Sequence, residues 1–349
     1  METLSFLYLS SGLFLGWALG ANDAANVFGT AVGTRMVRWR TAAIICSVFV
    51  ILGAVISGSG TSGTLGKLGA VSAFAGAFMT ALAAAMAVYA MIKTGLPVSS
   101  SQSIVGAIVG WNIFSGNPTD TVTLTKIILT WFLCPVLSAI IAIGLFRLLK
   151  LAGRYARLHL VRIDAYTRTA LILAGAFGAY ALGANNIANV VGVFMPANPF
   201  HSIDLGNGIT ISGSVLLLAL GGIAIATGVF TYSKGVMMTI GGNLGRLTPT
   251  SALVVVTAQS IVLLMFASRG LEAWLTGHGL PALPLVPVSS SQAVVGAVFG
   301  IAILQGTSGV RWQVLGRIIA GWAVTPVTAG LICFIGLFFL QNVFGLTVK

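Results

Sequence analysis

The chain has 349 residues, 57% of them hydrophobic and 7% charged, with a mean hydropathy of +1.02. Soluble domains carry about 25% charged residues, so a chain this poor in charge has no means of covering a soluble surface and reads as a polytopic membrane protein. Its net charge of +12 comes from Lys and Arg in short loops, which is a topology signal and gives no ground for a nucleic-acid partner.

A membrane-crossing helix needs about 20 apolar residues. Apolar stretches occur at 4–19, 42–57, 69–91, 98–114, 126–149, 169–184, 211–231, 252–268, 288–305 and 315–341. Shorter ones at 24–33 and 187–195 carry or follow a polar motif and read as half-helices or hairpin arms. Ten to twelve membrane segments are therefore expected, all α-helical, in two inverted-topology repeats with discontinuous helices or hairpins. The runs are continuous and lack the period-two alternation of a membrane β-barrel. The first stretch has no basic region before it and reads as a retained helix, not a cleaved signal. Cys46, Cys134 and Cys333 lie in apolar segments without metal-type spacing, and read as packing residues.

Two polar motifs occur twice, in the same order. Gly20-Ala21-Asn22-Asp23-Ala24-Ala25-Asn26-Val27 returns as Gly183-Ala184-Asn185-Asn186-Ile187-Ala188-Asn189-Val190. Pro97-Val98-Ser99-Ser100-Ser101-Gln102 returns as Pro287-Val288-Ser289-Ser290-Ser291-Gln292. Trp131 with Pro135, and Trp322 with Pro326, form a third matched pair. From the first motif to the second, however, the second half is longer by about 27 residues, placed around 196–210 and around Tyr232 to Thr250.

Loop charge sets the relation between the halves. Residues 34–41 hold three arginines, whereas the matching 196–210 hold none; 115–124 lack Lys and Arg, whereas 306–317 contain Arg311 and Arg317. Since Lys and Arg are retained in cytoplasmic loops, corresponding loops prefer opposite sides and the halves read as inverted repeats. The expected division is 1–146 for the first repeat, 147–168 for a basic cytoplasmic connector and 169–349 for the second repeat, in a multi-pass protein of the plasma membrane with both termini outside.

The motifs carry complementary chemistry. Asn22 and Asn26, like Asn185 and Asn189, stand one helical turn apart and share a face, as do Asp23 and Asn26. Amide oxygens with one carboxylate are hard ligands suited to a small cation such as Na⁺, so Asp23, Asn22, Asn26, Asn185, Asn186 and Asn189 are candidate cation ligands. The flanking small residues would permit a break in the helix with free carbonyls. The counterpart of Asp23 is Asn186, so the site should be asymmetric, with its charge on the first repeat. In the second motif, Pro followed by Ser opens a helix, and a helix N-terminus within the membrane offers N–H groups and a positive dipole end to an oxyanion. Ser99, Ser100, Ser101, Gln102 and their counterparts Ser289, Ser290, Ser291, Gln292 add donors to a cradle for a tetrahedral anion. Asn26 and Asn189 are candidates on the anion side as well.

Lys67, Lys93 and Lys234 fall near segment ends, where they are expected to snorkel to the interface. His159, His201 and His278 fall in expected loops, and no nucleophile–base pair, metal cluster or phosphate loop stands out, so neither an enzyme nor a bound cofactor is expected beyond a coupling ion.

Both motif pairs, with Phe28-Gly29-Thr30-Ala31-Val32-Gly33 and the Gly235 to Thr250 stretch ending in Leu247-Thr248-Pro249, resemble the inorganic phosphate transporter family over nearly the whole chain. The resemblance implies cation-coupled uptake of phosphate, inverted repeats with scaffold and transport regions, and a homodimer. It implies that Asp23, Asn26 and Asn189 handle cation and phosphate and that the Ser-Gln turns cradle phosphate. The chain departs from the family pattern at Asn186, where an Asp is usual, and lacks an acidic residue after Thr248-Pro249. The expectation is a secondary transporter importing inorganic phosphate with Na⁺ through the lipid membrane. The alternatives are a sulfate permease, an H⁺-coupled carrier titrating Asp23 and, from another class, an anion channel, which would need no buried Asp.

Overall fold

The computed structural model describes residues 2–69, 71–93, 98–155, 160–204, 206, 210–243, 248–305 and 312–349. Among these, twelve α-helices form: α1 (Glu2–Gly33), α2 (Trp39–Ser57), α3 (Ser59–Gly69), α4 (Phe74–Lys93), α5 (Ser100–Ser115), α6 (Thr121–Tyr155), α7 (Leu160–Val191), α8 (Gly213–Asn243), α9 (Pro249–Met265), α10 (Arg269–Gly277), α11 (Ser290–Gln305) and α12 (Trp312–Asn342). A short 3-10 turn follows α7, and β1 (Ile203–Asp204) pairs antiparallel with β2 (Thr210–Ile211). By length and composition six helices can cross a membrane, or seven counting the bent pair α9 and α10 as one span. The ten to twelve expected segments thus include elements that are not full spans, α3, α5 and α11 being too short to cross alone, and α1 is not among the six.

The expected breaks at the first motif do not occur. The stretches 4–19 and 24–33 are one continuous helix, α1, and 169–184 runs through 187–191 as α7. Asn and Asp disrupt helices when their side chains bond to their own backbone. Here Asn26, Asn185, Asn186 and Asn189 bond outward to other segments, which leaves the helical ladder intact.

Packing is symmetric on exchange of the two halves. α1 packs on α8 as α7 packs on α2, α5 on α12 as α11 on α6, α1 on α4 as α7 on α9, and α4 on α5 as α9 on α11. Glycines at matched positions permit this. A Cβ on Gly20 would collide with the Ile225 carbonyl, and one on its counterpart Gly183 with the Val50 carbonyl. Gly106 meets the Pro326 carbonyl in the same way that Gly296 meets that of Pro135. The two prolines, each inside a helix, therefore mark close approaches between α5 and α12 and between α11 and α6.

α2, Gly58 and α3 together cover 39–69, the same length as α8. The Tyr232 to Asn243 stretch is therefore ordinary helix, and the rest of that interval, up to Pro249, holds no inserted element among the described residues. The extra residues of the second half lie instead in the loop and hairpin between α7 and α8, as expected, and in 266–289, which include α10. The basic segment 147–168 is mostly helical, being the end of α6 and the start of α7; its residues 156–159, including His159, lie outside the described residues, as do Pro97, Leu247, Arg246 and Arg311. The outer faces of α6 and α12 expose large apolar side chains, among them Phe132, Val136, Ile140, Val327, Leu331 and Phe338.

Candidate functional site

α5 and α11 start where the serines predict. Ser99 takes an extended conformation and its hydroxyl accepts from the Gln102 amide at 3.2 Å. Ser289 caps α11 identically, accepting from Gln292 N at 3.3 Å. All six serines and both glutamines of the two turns are buried. The first amides of each helix have no partner within the helix, and the dipole end they form favours an anion.

The motif copies interlock across the halves. Asn26, on α1, donates from Nδ2 to Ser290 Oγ at 3.0 Å. Its counterpart Asn189, on α7, donates to Ser100 Oγ at 3.3 Å and Ser101 Oγ at 3.1 Å. Each half thus holds the serine turn of the other. The turns also touch directly, Ser101 Oγ donating to the Val288 carbonyl at 3.1 Å. The reading of separate cation and anion motifs is sharpened here: they meet in one locus.

Asp23 lies at its centre, 1% exposed. Its Oδ1 accepts from Asn22 Nδ2 at 2.8 Å, and its Oδ2 from Asn186 Nδ2 at 3.0 Å and Ser100 Oγ at 3.5 Å. Among the described residues the one ion pair is Arg168–Asp164, on exposed side chains, so no basic side chain neutralises Asp23. A buried charge is normally paired or coordinates a metal. The arrangement leaves Asp23 to be neutralised by a proton or by a diffusible cation. Oxygen acceptors are at hand: Asn186 Oδ1 and Asn189 Oδ1, one turn apart on α7, are buried without a partner.

Asn185 stands apart from this group. Its Nδ2 donates to the Leu263 and Val286 carbonyls at 3.2 and 3.4 Å, and its Oδ1 accepts from Val288 N at 2.9 Å. It ties down the extended segment leading into the second serine turn, leaving it no oxygen with a free role at Asp23.

One residue at the site, Gln259, was not singled out by sequence. Gln259 on α9 donates from Nε2 to the Asn26 carbonyl at 2.6 Å, and its Oε1 is buried and unpaired. Gln102 and Gln292 also keep an unpaired buried Oε1. The indole N–H groups of Trp131 and Trp322 are buried without acceptors. Each Trp lies one turn before the Pro that contacts α11 or α5, and Cys134 Sγ donates to the Ser289 carbonyl at 3.7 Å, which sets α6 against the second turn. The matched Trp-Pro spacing was the available signal; Gln259 had none, being a lone polar residue in an apolar helix.

The remaining candidates lie elsewhere. Lys93 sits over Tyr89 at 5.3 Å and Lys234 over Trp39 at 5.8 Å, while Lys67 is exposed, in keeping with interfacial positions. His201 and His278 are exposed, and the three cysteines are buried and unbridged.

Comparison with known proteins agrees with this picture. A model of the "Phosphate transporter family" matches residues 19–333. A "putative phosphate permease" of Pyrococcus horikoshii is 27% identical, over 93% of this chain and 95% of its own length. Another, from Methanocaldococcus jannaschii, is 26% identical over 94% and 95%. The chloroplastic "inorganic phosphate transporter 2-1" of Arabidopsis thaliana is 24% identical over 95% of this chain and 71% of its own. A solved structure titled "The sodium-dependent phosphate transporter" superimposes with a TM-score of 0.76 at 23% identity, covering 97% of this chain and 99% of that one. At that identity the likeness speaks for the fold.

Proposed function

The chain belongs to the phosphate transporter family, and on that premise we propose that it imports inorganic phosphate together with Na⁺ through the locus where both motif copies meet. One observation carries the reading: a buried carboxylate, Asp23, held only by neutral donors and lying beside two capped helix N-termini rich in hydroxyls. The anion rests on the α5 and α11 turns, with Ser99, Ser100, Ser101, Gln102, Ser289, Ser290, Ser291 and Gln292 as donors. The cation rests near Asp23, with Asn186 and Asn189 oxygens beside it. Bound together, the two ligands offset each other's charge in a dry site, so each strengthens the binding of the other. A title naming sodium dependence, on the solved structure with this fold, supports Na⁺ as the partner ion.

The halves act as inverted repeats, 1–146 and 169–349, joined by a cytoplasmic connector at 147–168; loop charge and the exchange symmetry of helix packing support this. Lipid covers the apolar outer faces of α6 and α12.

The test is uptake of radiolabelled phosphate or sulfate into proteoliposomes under a Na⁺ gradient, an H⁺ gradient or neither. Phosphate uptake driven by Na⁺ is expected. Sulfate in place of phosphate would overturn the substrate, H⁺ in place of Na⁺ would overturn the ion, and flux without any gradient dependence would point to a channel.

A further inference from the structure

The two serine turns end alike, in a glutamine whose side-chain oxygen the fold leaves unused. With Ser99 and Ser289 as caps, Gln102 and Gln292 occupy the third position of their helices. A glutamine there ordinarily turns back and accepts from the backbone N–H of the cap, closing a capping box. Neither does so: Gln102 Oε1 and Gln292 Oε1 have no partner, although the side chains are only 3% and 2% exposed. Helical side chains lean toward the helix N-terminus, which carries both amides toward the turns.

The serine hydroxyls of the turns are already engaged as acceptors. Ser99 and Ser289 accept from the backbone N–H of Gln102 and Gln292, and Ser291 pairs with Ser289. Ser100 and Ser101 accept from Asn189, and Ser290 from Asn26. The glutamine oxygens are thus the side-chain acceptors of the turns that stand open, one in each half. Phosphate and sulfate are both tetrahedral oxyanions, and N–H donors at a helix N-terminus do not separate them. They differ in their hydrogens: at neutral pH phosphate keeps a P–O–H group and sulfate has no O–H. From this geometry we infer that Gln102 and Gln292 select phosphate over sulfate, their carbonyl oxygens accepting from the phosphate hydroxyl. The inference rests on the proposed reading of the turns as the anion cradle. Sulfate in the same place would set its oxygens against buried lone pairs with no hydrogen between them. A site built to bond a substrate hydroxyl rejects the analogue lacking it far more strongly than pocket shape alone can. Rotating either amide exchanges its oxygen and nitrogen but still presents one acceptor beside its donors.

The full-length protein in proteoliposomes tests this, with ³²P uptake challenged by arsenate, sulfate and monofluorophosphate in a mildly alkaline medium. Phosphate is then mostly divalent, as sulfate is, so charge does not separate the anions. Arsenate keeps an O–H group there, whereas monofluorophosphate, though tetrahedral, has none. Arsenate should compete well in the wild type, and sulfate and monofluorophosphate should need concentrations about 100-fold higher. Gln102→Met and Gln292→Met keep the length of the side chain and delete the acceptor. Each should weaken phosphate about 10-fold and narrow its preference over sulfate by at least that factor, with the arsenate-to-phosphate ratio unchanged. Glutamines that served packing alone would weaken every anion equally. A preference over sulfate that survives intact in both variants would therefore overturn the inference while leaving phosphate transport in place. Should the variants fail to fold, the wild type decides: monofluorophosphate competing as well as arsenate would also overturn it. A wild type that takes up no phosphate would instead overturn the underlying reading of the turns.

Discussion

Within the site, residues with similar side chains divide into those gathered around Asp23 and those that hold the frame. Asp23, Asn186 and Asn189 form one connected group with Ser100 and Ser101, while Asn185 bonds through both its Nδ2 and its Oδ1 to the backbone at Leu263, Val286 and Val288. Asp23→Asn keeps the size of the side chain and removes its charge, so Na⁺ stimulation of uptake should weaken about 100-fold, by the usual worth of a hydrogen bond or contact to a buried charge. Undiminished stimulation would remove Asp23 from the cation role. Asn26→Ala and Asn189→Ala each delete a neutral link to the opposite serine turn; a drop of about 10-fold in apparent phosphate affinity is expected for Asn189, which makes two such bonds, and less for Asn26. The opposite ranking in a phosphate titration would count against the interlocked arrangement. These residues were legible in the sequence because repeated polar groups in apolar runs need a use. Gln259 was not, since a lone amide in a helix looks the same whether it faces a neighbouring helix or a site.

Among the elements, the two short helices α5 and α11 position the serine turns, and each is clamped by a glycine against a proline of α12 or α6. Gly296→Leu or Gly106→Leu would drive a side chain into the proline's backbone. Overpacking costs about 1–3 kcal/mol, so the detergent-solubilised variant should melt several degrees lower and transport poorly; an unchanged melting curve would show that the clamp is looser than the close approach indicates. α6 begins at Asp120, whose Oδ1 accepts from Val122 N and Thr123 N at 3.0 and 3.1 Å and whose Oδ2 accepts from Thr123 Oγ1 at 2.6 Å. The Thr123 hydroxyl bond, foremost, holds this carboxyl below the usual carboxylate range. A folded-state pKa below the unfolded one means that the stabilisation is present at neutral pH and is lost as pH falls through the depressed value. Asp120→Ala should therefore melt below the wild type at neutral pH, with the gap closing in acid, and a gap independent of pH would refute the charged cap. The helix starts at Ser100 and Ser290 were legible from capping chemistry. Continuous α1 and α7 were not, because sequence cannot tell an amide that bonds sideways to another helix from one that breaks its own.

At the scale of the whole chain, the exchange symmetry has a functional consequence that neither half could achieve alone. The Asn of each half bonds the serine turn of the other, and the clamping prolines of α6 and α12 likewise press on the short helix of the opposite half. Repetition of the motifs was legible from the sequence, and the packing of the helices follows it. The crossing was not, because it depends on which faces meet, and spacing along a chain carries no such information. The crossing predicts how the molecule should respond to division. Cutting between α6 and α7, in the basic segment, severs no contact between site residues. Residues 1–155 and 156–349 expressed as two chains in one membrane should assemble and recover a substantial share of phosphate uptake, since apolar helix packing and the buried Asn-Ser bonds join them. Either piece alone holds one serine turn, bound by no partner Asn, and lacks its clamp. It should show no uptake above background, even where it inserts stably. Activity from a half alone, through pairing with a second copy of itself, would require Asp23 to meet its own copy where Asn186 now stands for the first half, and no buried carboxylate at all for the second. The first assembly sets two charges together and the second has none to attract a cation, so the asymmetry at Asp23 and Asn186 is what makes both halves necessary.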